Sequence, residues 1–235
     1  MERPAFVDCH SHVCPSGDDG AQNVGEGAVL CRQAAKRGTR ILFATPHVWP
    51  ELHLTPEREE RVRESFAELA PQAGLELRLG FELTPDEHLL DEDPHRYELD
   101  GTGHVLMEVP FTGGLDLVWL LAEHVEESGL TPVVAHPERA EWVLADPAQA
   151  FALAERWPLQ VNGSSLTGSH GPRIADLGWR LVESGAAKVV GSDGHRLARP
   201  PFLDDAYDLV RARVGDDALR LFDGSALGLS LREAA

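Results

Sequence analysis

Cysteine is scarce in this 235-residue chain: there are three, Cys9, Cys14 and Cys31. An odd, low number excludes a disulfide framework, and no Cys-x-x-Cys pair offers a thiolate zinc site. Long apolar runs are also missing. None approaches the roughly 18 residues that span a membrane. The start, Met1-Glu2-Arg3-Pro4, lacks the basic and then apolar pattern of a secretory leader, so a cytoplasmic location is expected. Basic residues are few as well, 21 against 39 acidic ones, for a formal charge of −18. That balance repels nucleic acid and anionic membrane, and it speaks against a nuclease. No repeat or low-complexity linker divides the chain, so one domain spanning residues 1–235 is expected.

What is present recurs in a fixed order: a short apolar run, a polar loop, an amphipathic stretch. Strands are expected at Ala5 to His10, Arg40 to Thr45, Leu75 to Phe81, His104 to Val109, Pro132 to His136, Leu159 to Val161 and Lys188 to Gly191. They are rich in Val, Ile, Leu and Phe, as strands buried on both faces are. Helix signals lie between them. Asn23 with Glu26 makes a capping pair, and Gly38 stops that helix. Thr55-Pro56 starts another. Leu117, Val118, Leu121 and Val125 form one apolar stripe, and Leu177, Leu181 and Val182 form a second. The part from Pro201 reads as helix, and the segment Leu227 to Leu231 fits no class. Seven strands that alternate with helices give an α/β fold, either a barrel or an open sheet.

The polar residues decide between them. His10 and His12 follow the first strand, His47 the second, Glu82 the third, Glu108 ends the fourth, His136 the fifth, and Asp193 and His195 the seventh. Asp19 stands in an acidic turn just after the first pair. Donors from so many strand ends meet at one mouth only if the strands encircle it, and barrels carry their sites at that edge. A distorted seven-stranded, TIM-like barrel is therefore expected. Five histidines and four carboxylates exceed what one ion uses and suit two or three divalent ions. Nitrogen and oxygen donors without sulfur suit manganese, iron or zinc. His53, His88, His95, His104 and His124 read as surface or capping groups, and His170 could approach the mouth.

Asp8-x-His10-x-His12, Thr45-Pro46-His47, Glu82, Glu108, Ala135-His136-Pro137-Glu138-Arg139 and Ser192-Asp193-x-His195 together resemble the polymerase and histidinol phosphatase (PHP) superfamily. Asp18-Asp19-Gly20-Ala21, Gln160-Val161-Asn162-x-Ser164 and Arg199-Pro200-Pro201 narrow the resemblance. They are similar to the manganese-dependent bacterial tyrosine phosphatases of capsule and exopolysaccharide synthesis. The resemblance implies a barrel with a trinuclear centre. His10, His12, Glu82 and Asp193 would hold one ion, and Glu82, Glu108 and His136 a second. Asp19, rather than Asp18, would join His47 and His195 on the third. Asp8 would stand behind a ligand ring. Arg139 and Arg199 would bind phosphate. Manganese is the first expectation, and the implied partner is a phosphotyrosine protein such as a bacterial tyrosine kinase of polysaccharide synthesis. A homo-oligomer is left open. Gly191 and Gly194 flank Ser192-Asp193 where the family is bulkier, which suggests a wider pocket.

Two rival readings stay open: a PHP enzyme for a small phosphate such as histidinol phosphate or a nucleotide, and a metal-binding regulator without turnover. A cysteine-based mechanism does not. Cys31 and Arg37 match Cys-x5-Arg formally, but they lie in an expected helix, about 240° apart around its axis. No glycine lies between them to cradle a phosphate.

Overall fold

The structure, a computed structural model, describes residues 4–231. All seven expected strands are present. β1 (Phe6–Asp8) pairs in parallel with β2 (Thr39–Ala44), which continues past Thr45-Pro46 into β3 (His47–Val48). β4 (Glu76–Leu79) continues past Gly80-Phe81 into β5 (Glu82–Leu83). A short β6 (Glu98–Leu99) adds antiparallel to β7 (His104–Glu108). β8 (Thr131–Ala135), β9 (Leu159–Asn162) and β10 (Ala187–Gly191) complete the parallel set. One sheet runs β1-β2-β4 and the other β10-β9-β8-β7-β5-β3. The two interrupted strands join these sheets. A parallel bridge from Ser11 to Gly194, with His12 N donating to Gly194 O at 2.7 Å, brings β10 back to β1. The result is a distorted seven-stranded barrel, and the breaks in its second and third strands are the distortion.

The helices form where their signals stand. Asn23 caps α1 (Val24–Lys36) by accepting from Glu26 N, while Glu26 accepts from Gln22 N. Thr55 caps α2 (Pro56–Leu69), whose first residue is the proline. α3 (Leu115–Glu127) buries Val118, Leu121, Ala122 and Val125. α4 (Glu141–Ala145), α5 (Ala148–Ala154), α6 (Gly163–Leu166) and α7 (Pro172–Glu183) follow. α8 (Asp204–Val214) then leads into 3-10 turns at Gly215–Leu221 and Ser225–Leu227. Among the described residues, no helix is long and apolar enough to cross a membrane.

Strand alternation divides the apolar residues into two clusters. One lies between strands and helices. The other fills the barrel with Val7, Ile41, Phe43, Leu106, Val133 and Val189. Leu227 joins this inner cluster, with Leu229 and Leu231 packed against it. The unclassified C-terminal segment thus covers the interior core. At roughly 25 cal/mol per Å² of apolar area, such burial gives the donors above it a rigid base.

Candidate metal centre

The register of the upper strands sets the site. His47 pairs with Glu82, and Glu82 with Leu106, so β3 and β5 carry a histidine and a carboxylate side by side at the barrel edge. β1 ends at Asp8, so His10 and His12 stand in the loop beyond it. Two backbone bonds to the end of β10 fix that loop: Asp193 N to His10 O at 2.9 Å, and His12 N to Gly194 O. Arg58 of α2 is buried and donates to the carbonyls of Ser16, Leu52 and His47, which holds the His47 loop down.

Glu82 is the hub. Its Oε2 lies 3.0 Å from His10 Nε2, 3.2 Å from His12 Nε2 and 3.0 Å from His47 Nδ1, and its Oε1 lies 2.9 Å from His136 Nε2. The carboxylate is fully buried. Burial works against its charge, but the imidazoles of His10 and His47 outweigh that and hold its pKa well below the usual range. Asp193 Oδ1 sits 3.6 Å from His10 Nε2 and 3.5 Å from His12 Nε2. Asp19 Oδ1 lies 3.4 Å from His47 Nε2 and 3.3 Å from His195 Nε2. Three groups have donor atoms within 4.8 Å of one another: His12, His47, His195; His10, Glu82, His136; and His10, His12, Asp193.

Hydrogen bonds satisfy only part of this cluster: His136 Nε2 pairs with Glu82 Oε1, but other buried atoms go without. The buried Glu82 Oε2 has no hydrogen-bond partner, nor have the Nδ1 atoms of His12, His47 and His136. Such buried atoms are costly unless something satisfies them. A relay of amides shows what kind of partner is needed. Asp193 Oδ2 can only accept, so Asn162 Nδ2 donates to it at 2.7 Å. Asn162 Oδ1 then accepts from Gln160 Nε2 at 2.8 Å. Gln160 Oε1 in turn accepts from His10 Nδ1 at 2.9 Å. That bond leaves Nε2 of His10 facing His12 Nε2, 3.2 Å away, and Glu82. Burial disfavours the charged ring, but Glu82 and Asp193 outweigh it and raise its pKa, and the neutral ring presents a lone pair there. Lone pairs converging on a carboxylate fit a divalent cation, and the nitrogen and oxygen donors fit that chemistry.

The backbone is strained here. His136 (φ 36°) and Asp193 (φ 53°) are the only non-glycine residues with positive φ among the described residues. Such conformations cost on the order of 1–3 kcal/mol each and persist where surrounding bonds enforce them. His136 N is held by Gln160 O at 2.7 Å, and Asp193 N by His10 O.

The expected residues fall as follows. Asp18 Oδ2 accepts from His47 N at 3.0 Å and lies 3.7 Å from His12 Nδ1, behind that ring, whereas Asp19 Oδ1 faces the Nε2 atoms of His47 and His195. Glu108 stands at the edge, bonded to the Thr84 hydroxyl and outside the three donor groups. Burial, and then the charge of Glu82, push its pKa up to about 8. Arg139 Nη1 reaches Asp193 Oδ2 at 2.6 Å, and Arg199 Nη2 reaches Asp193 Oδ1 at 3.0 Å. Both arginines line a cavity of about 340 Å³ with His47, His136, Asp193 and His195. His170 bonds Ser164 Oγ at 2.9 Å and lines a neighbouring cleft beside Arg199.

Two expectations are corrected. Asp8 does not back a ligand ring: its Oδ1 accepts from Ser192 N at 3.0 Å and His10 N at 3.3 Å, and Gln160 takes the ring position. Gly191 and Gly194 do not widen a pocket, because they are close-packed. A Cβ on Gly191 would lie 3.0 Å from both Gln160 Nε2 and His10 Cβ, and one on Gly194 would lie 2.5 Å from the Pro201 backbone. The roles of Gln160, Asn162 and Arg58 went unseen in the sequence. The one signal was a pair of amides, two positions apart, in the buried strand Leu159–Asn162.

Fold and site together define a class: a parallel α/β barrel whose mouth gathers histidines and carboxylates able to hold metal ions. The family assignment follows from comparison with known proteins. The profile described as "Capsular polysaccharide synthesis, CpsB/CapC" matches residues 6–223, and the chain belongs to that family. It is 28% identical over 208 residues to CapC of Staphylococcus aureus, covering 84% of this chain and 80% of the relative. It is also 28% identical over 228 residues to the tyrosine-protein phosphatase YwqE of Bacillus subtilis (strain 168), covering 90% and 86%. Among solved structures it superposes with TM-score 0.81 on one from the study of YwqE and of CpsB from Streptococcus pneumoniae, described there as metal-dependent tyrosine phosphatases. Identity is 24%, with 97% of this chain and 94% of that one covered. An L-hydantoinase from Arthrobacter aurescens shares the fold at TM-score 0.55 and 12% identity, with 96% and 71% covered.

Proposed function

We propose that this protein is a metal-dependent phosphomonoester hydrolase that removes phosphate from phosphotyrosine in a protein of capsular polysaccharide synthesis. One observation carries the reading: in a CpsB/CapC chain, Glu82 gathers four imidazoles directly beneath a cavity lined by two arginines. The ligand set is His10, His12, Asp19, His47, Glu82, Glu108, His136, Asp193 and His195, for two or three divalent ions, with manganese preferred and iron or zinc as alternatives. When bound, such ions acidify a water for attack and stabilise charge on phosphate oxygens.

The chain's own groups do the rest. Glu82 belongs to the group with His10 and His136, and its Oε2 also meets His12 and His47 of the neighbouring group, so it would tie the two together. Gln160 keeps the lone pair of His10 pointed inward. Arg139 and Arg199 both line the cavity, so their guanidiniums can clamp a bound phosphate through charge-assisted bonds. Asp193 holds both cations in place until then. The leaving tyrosinate has a pKa near 10, so a dedicated general acid is optional. A bacterial tyrosine kinase of polysaccharide synthesis is the substrate protein this reading favours.

The test is parallel turnover. Metal-stripped protein, given Mn²⁺, is offered a phosphotyrosine peptide and histidinol phosphate. Preference for the peptide is expected. Preference for histidinol phosphate would overturn the substrate assignment, and metal binding without turnover of either would point to a non-catalytic role. His136→Ala should lose metal, while Arg139→Ala should keep its metal and lose phosphate handling. Equal metal loss in both would contradict the arginine's role.

A further inference from the structure

The cavity has a polar floor and an aromatic rim, and the metal chemistry does not require the rim. Phe111 comes directly after Glu108-Val109-Pro110 at the end of β7. It is 45% exposed, the only aromatic residue among the exposed large apolar side chains of the described residues. A free apolar ring at this point is not a fraying end. Glu141 N donates to Phe111 O at 2.9 Å, and the Arg139 guanidinium lies 4.8 Å from the ring centroid. The ring is within 19° of parallel to the His136 imidazole, with centroids 6.3 Å apart. Trp49 is the second aromatic lining the same cavity. It is half-buried, with its ring 4.6 Å from that of His47.

We infer that Phe111, with Trp49, is a specificity-determining wall that favours phosphate esters of planar aryl groups over those of alkyl groups. The inference rests on the phosphatase reading above. Each ring is packed against a histidine of the floor, one on the His47 side and one on the His136 side, and both border the space above the arginines. A phosphate clamped by Arg139 and Arg199 sends its ester group into that space. An aryl group there gains offset or edge contacts with the rings, beyond the apolar area it buries. An alkyl group gains the area alone. The cavity, about 340 Å³, lies at the lower end of the range of ligand pockets, roughly 300–1,000 Å³, which suits one ring and its phosphate.

Binding of non-hydrolysable probes tests this. Mn²⁺-loaded protein is titrated with phenylphosphonate and ethylphosphonate. Wild type should prefer the phenyl compound. Phe111→Leu, which keeps apolar bulk without a ring, should lose roughly five- to tenfold more affinity for phenylphosphonate than for ethylphosphonate. Phe111→Tyr should restore the preference, a rescue that a merely structural role would not give. In turnover of matched phosphotyrosine and phosphoserine peptides, the selective loss should appear in KM for the tyrosine peptide. Equal losses for both probes, or no rescue by tyrosine, overturn the inference. If the protein hydrolyses neither peptide but keeps its ring-dependent phenyl preference, the hydrolase reading fails and the aromatic wall stands.

Discussion

Gln160→Met tests the amide relay most directly. Met nearly matches Gln in length, so packing changes little, but both hydrogen bonds of the buried amide vanish. The His10 Nδ1–H and the Asn162 Oδ1 are then left without partners. At about 1–3 kcal/mol for each unsatisfied buried group, the metal-free fold should lose roughly 2–6 kcal/mol. The second loss concerns metal. Without an acceptor at Nδ1, the His10 ring is free to protonate Nε2 instead, turning a donor hydrogen toward Glu82 in place of a lone pair. Removing partners of this kind weakens metal affinity about 10- to 100-fold. Urea denaturation of the metal-free protein reads the first effect, and competition with a fluorescent chelator for Mn²⁺ reads the second. Gln160→Glu is the control. Its carboxylate still accepts from His10 but cannot donate to Asn162, so its metal affinity should lie closer to wild type than that of the methionine variant. Wild-type affinity and stability in Gln160→Met would refute the relay.

Three further outcomes follow from the same contacts. Gly191→Ala should cost about 1–3 kcal/mol by overpacking Gln160 and His10, and Gly194→Ala should cost more, because its Cβ meets Pro201 backbone; urea midpoints in the reverse order would count against the packing argument. Burial lowers the pKa of His104. Below about pH 6.5 the unfolded chain therefore takes up a proton that the folded chain does not, and stability falls as pH drops toward the folded value. His104→Gln should narrow the difference between urea midpoints at about pH 8 and about pH 5.5, and an unchanged difference would remove His104 from the balance. Cys31→Ala should retain phosphatase activity, because the thiol is buried in α1, pushed up to about 12 by burial, and Arg37 is tied to Asp204 and Asp205; loss of activity with intact metal content would revive a cysteine nucleophile.

The strands were legible because a parallel strand buried on both faces must be apolar along its whole length, and that is a local property. The same holds for the caps of α1 and α2, whose side chains bond within four residues of themselves. The donors at the strand ends were legible too, since a histidine or carboxylate after an apolar run stands out without knowledge of its partners. The grouping was less so. His12 stands with His47 and His195 as well as with His10, and Glu108 bonds Thr84 at the rim. The splitting of strands into β2 with β3 and β4 with β5 left no mark in the apolar pattern either.

The sequence by itself determined seven buried strands, their order with the helices, and a set of nitrogen and oxygen donors at one edge. These depend on hydrophobic periodicity and residue chemistry, which neighbours along the chain record. Only the tertiary structure decided which atoms face one another. His10 meets Gln160 across 150 positions, Glu82 meets His136 across 54, and Ser192 meets Asp8 across 184. Those encounters are set by strand register and by the closure of β10 onto β1. A one-residue slip in either would leave every local pattern intact and pull the cluster apart.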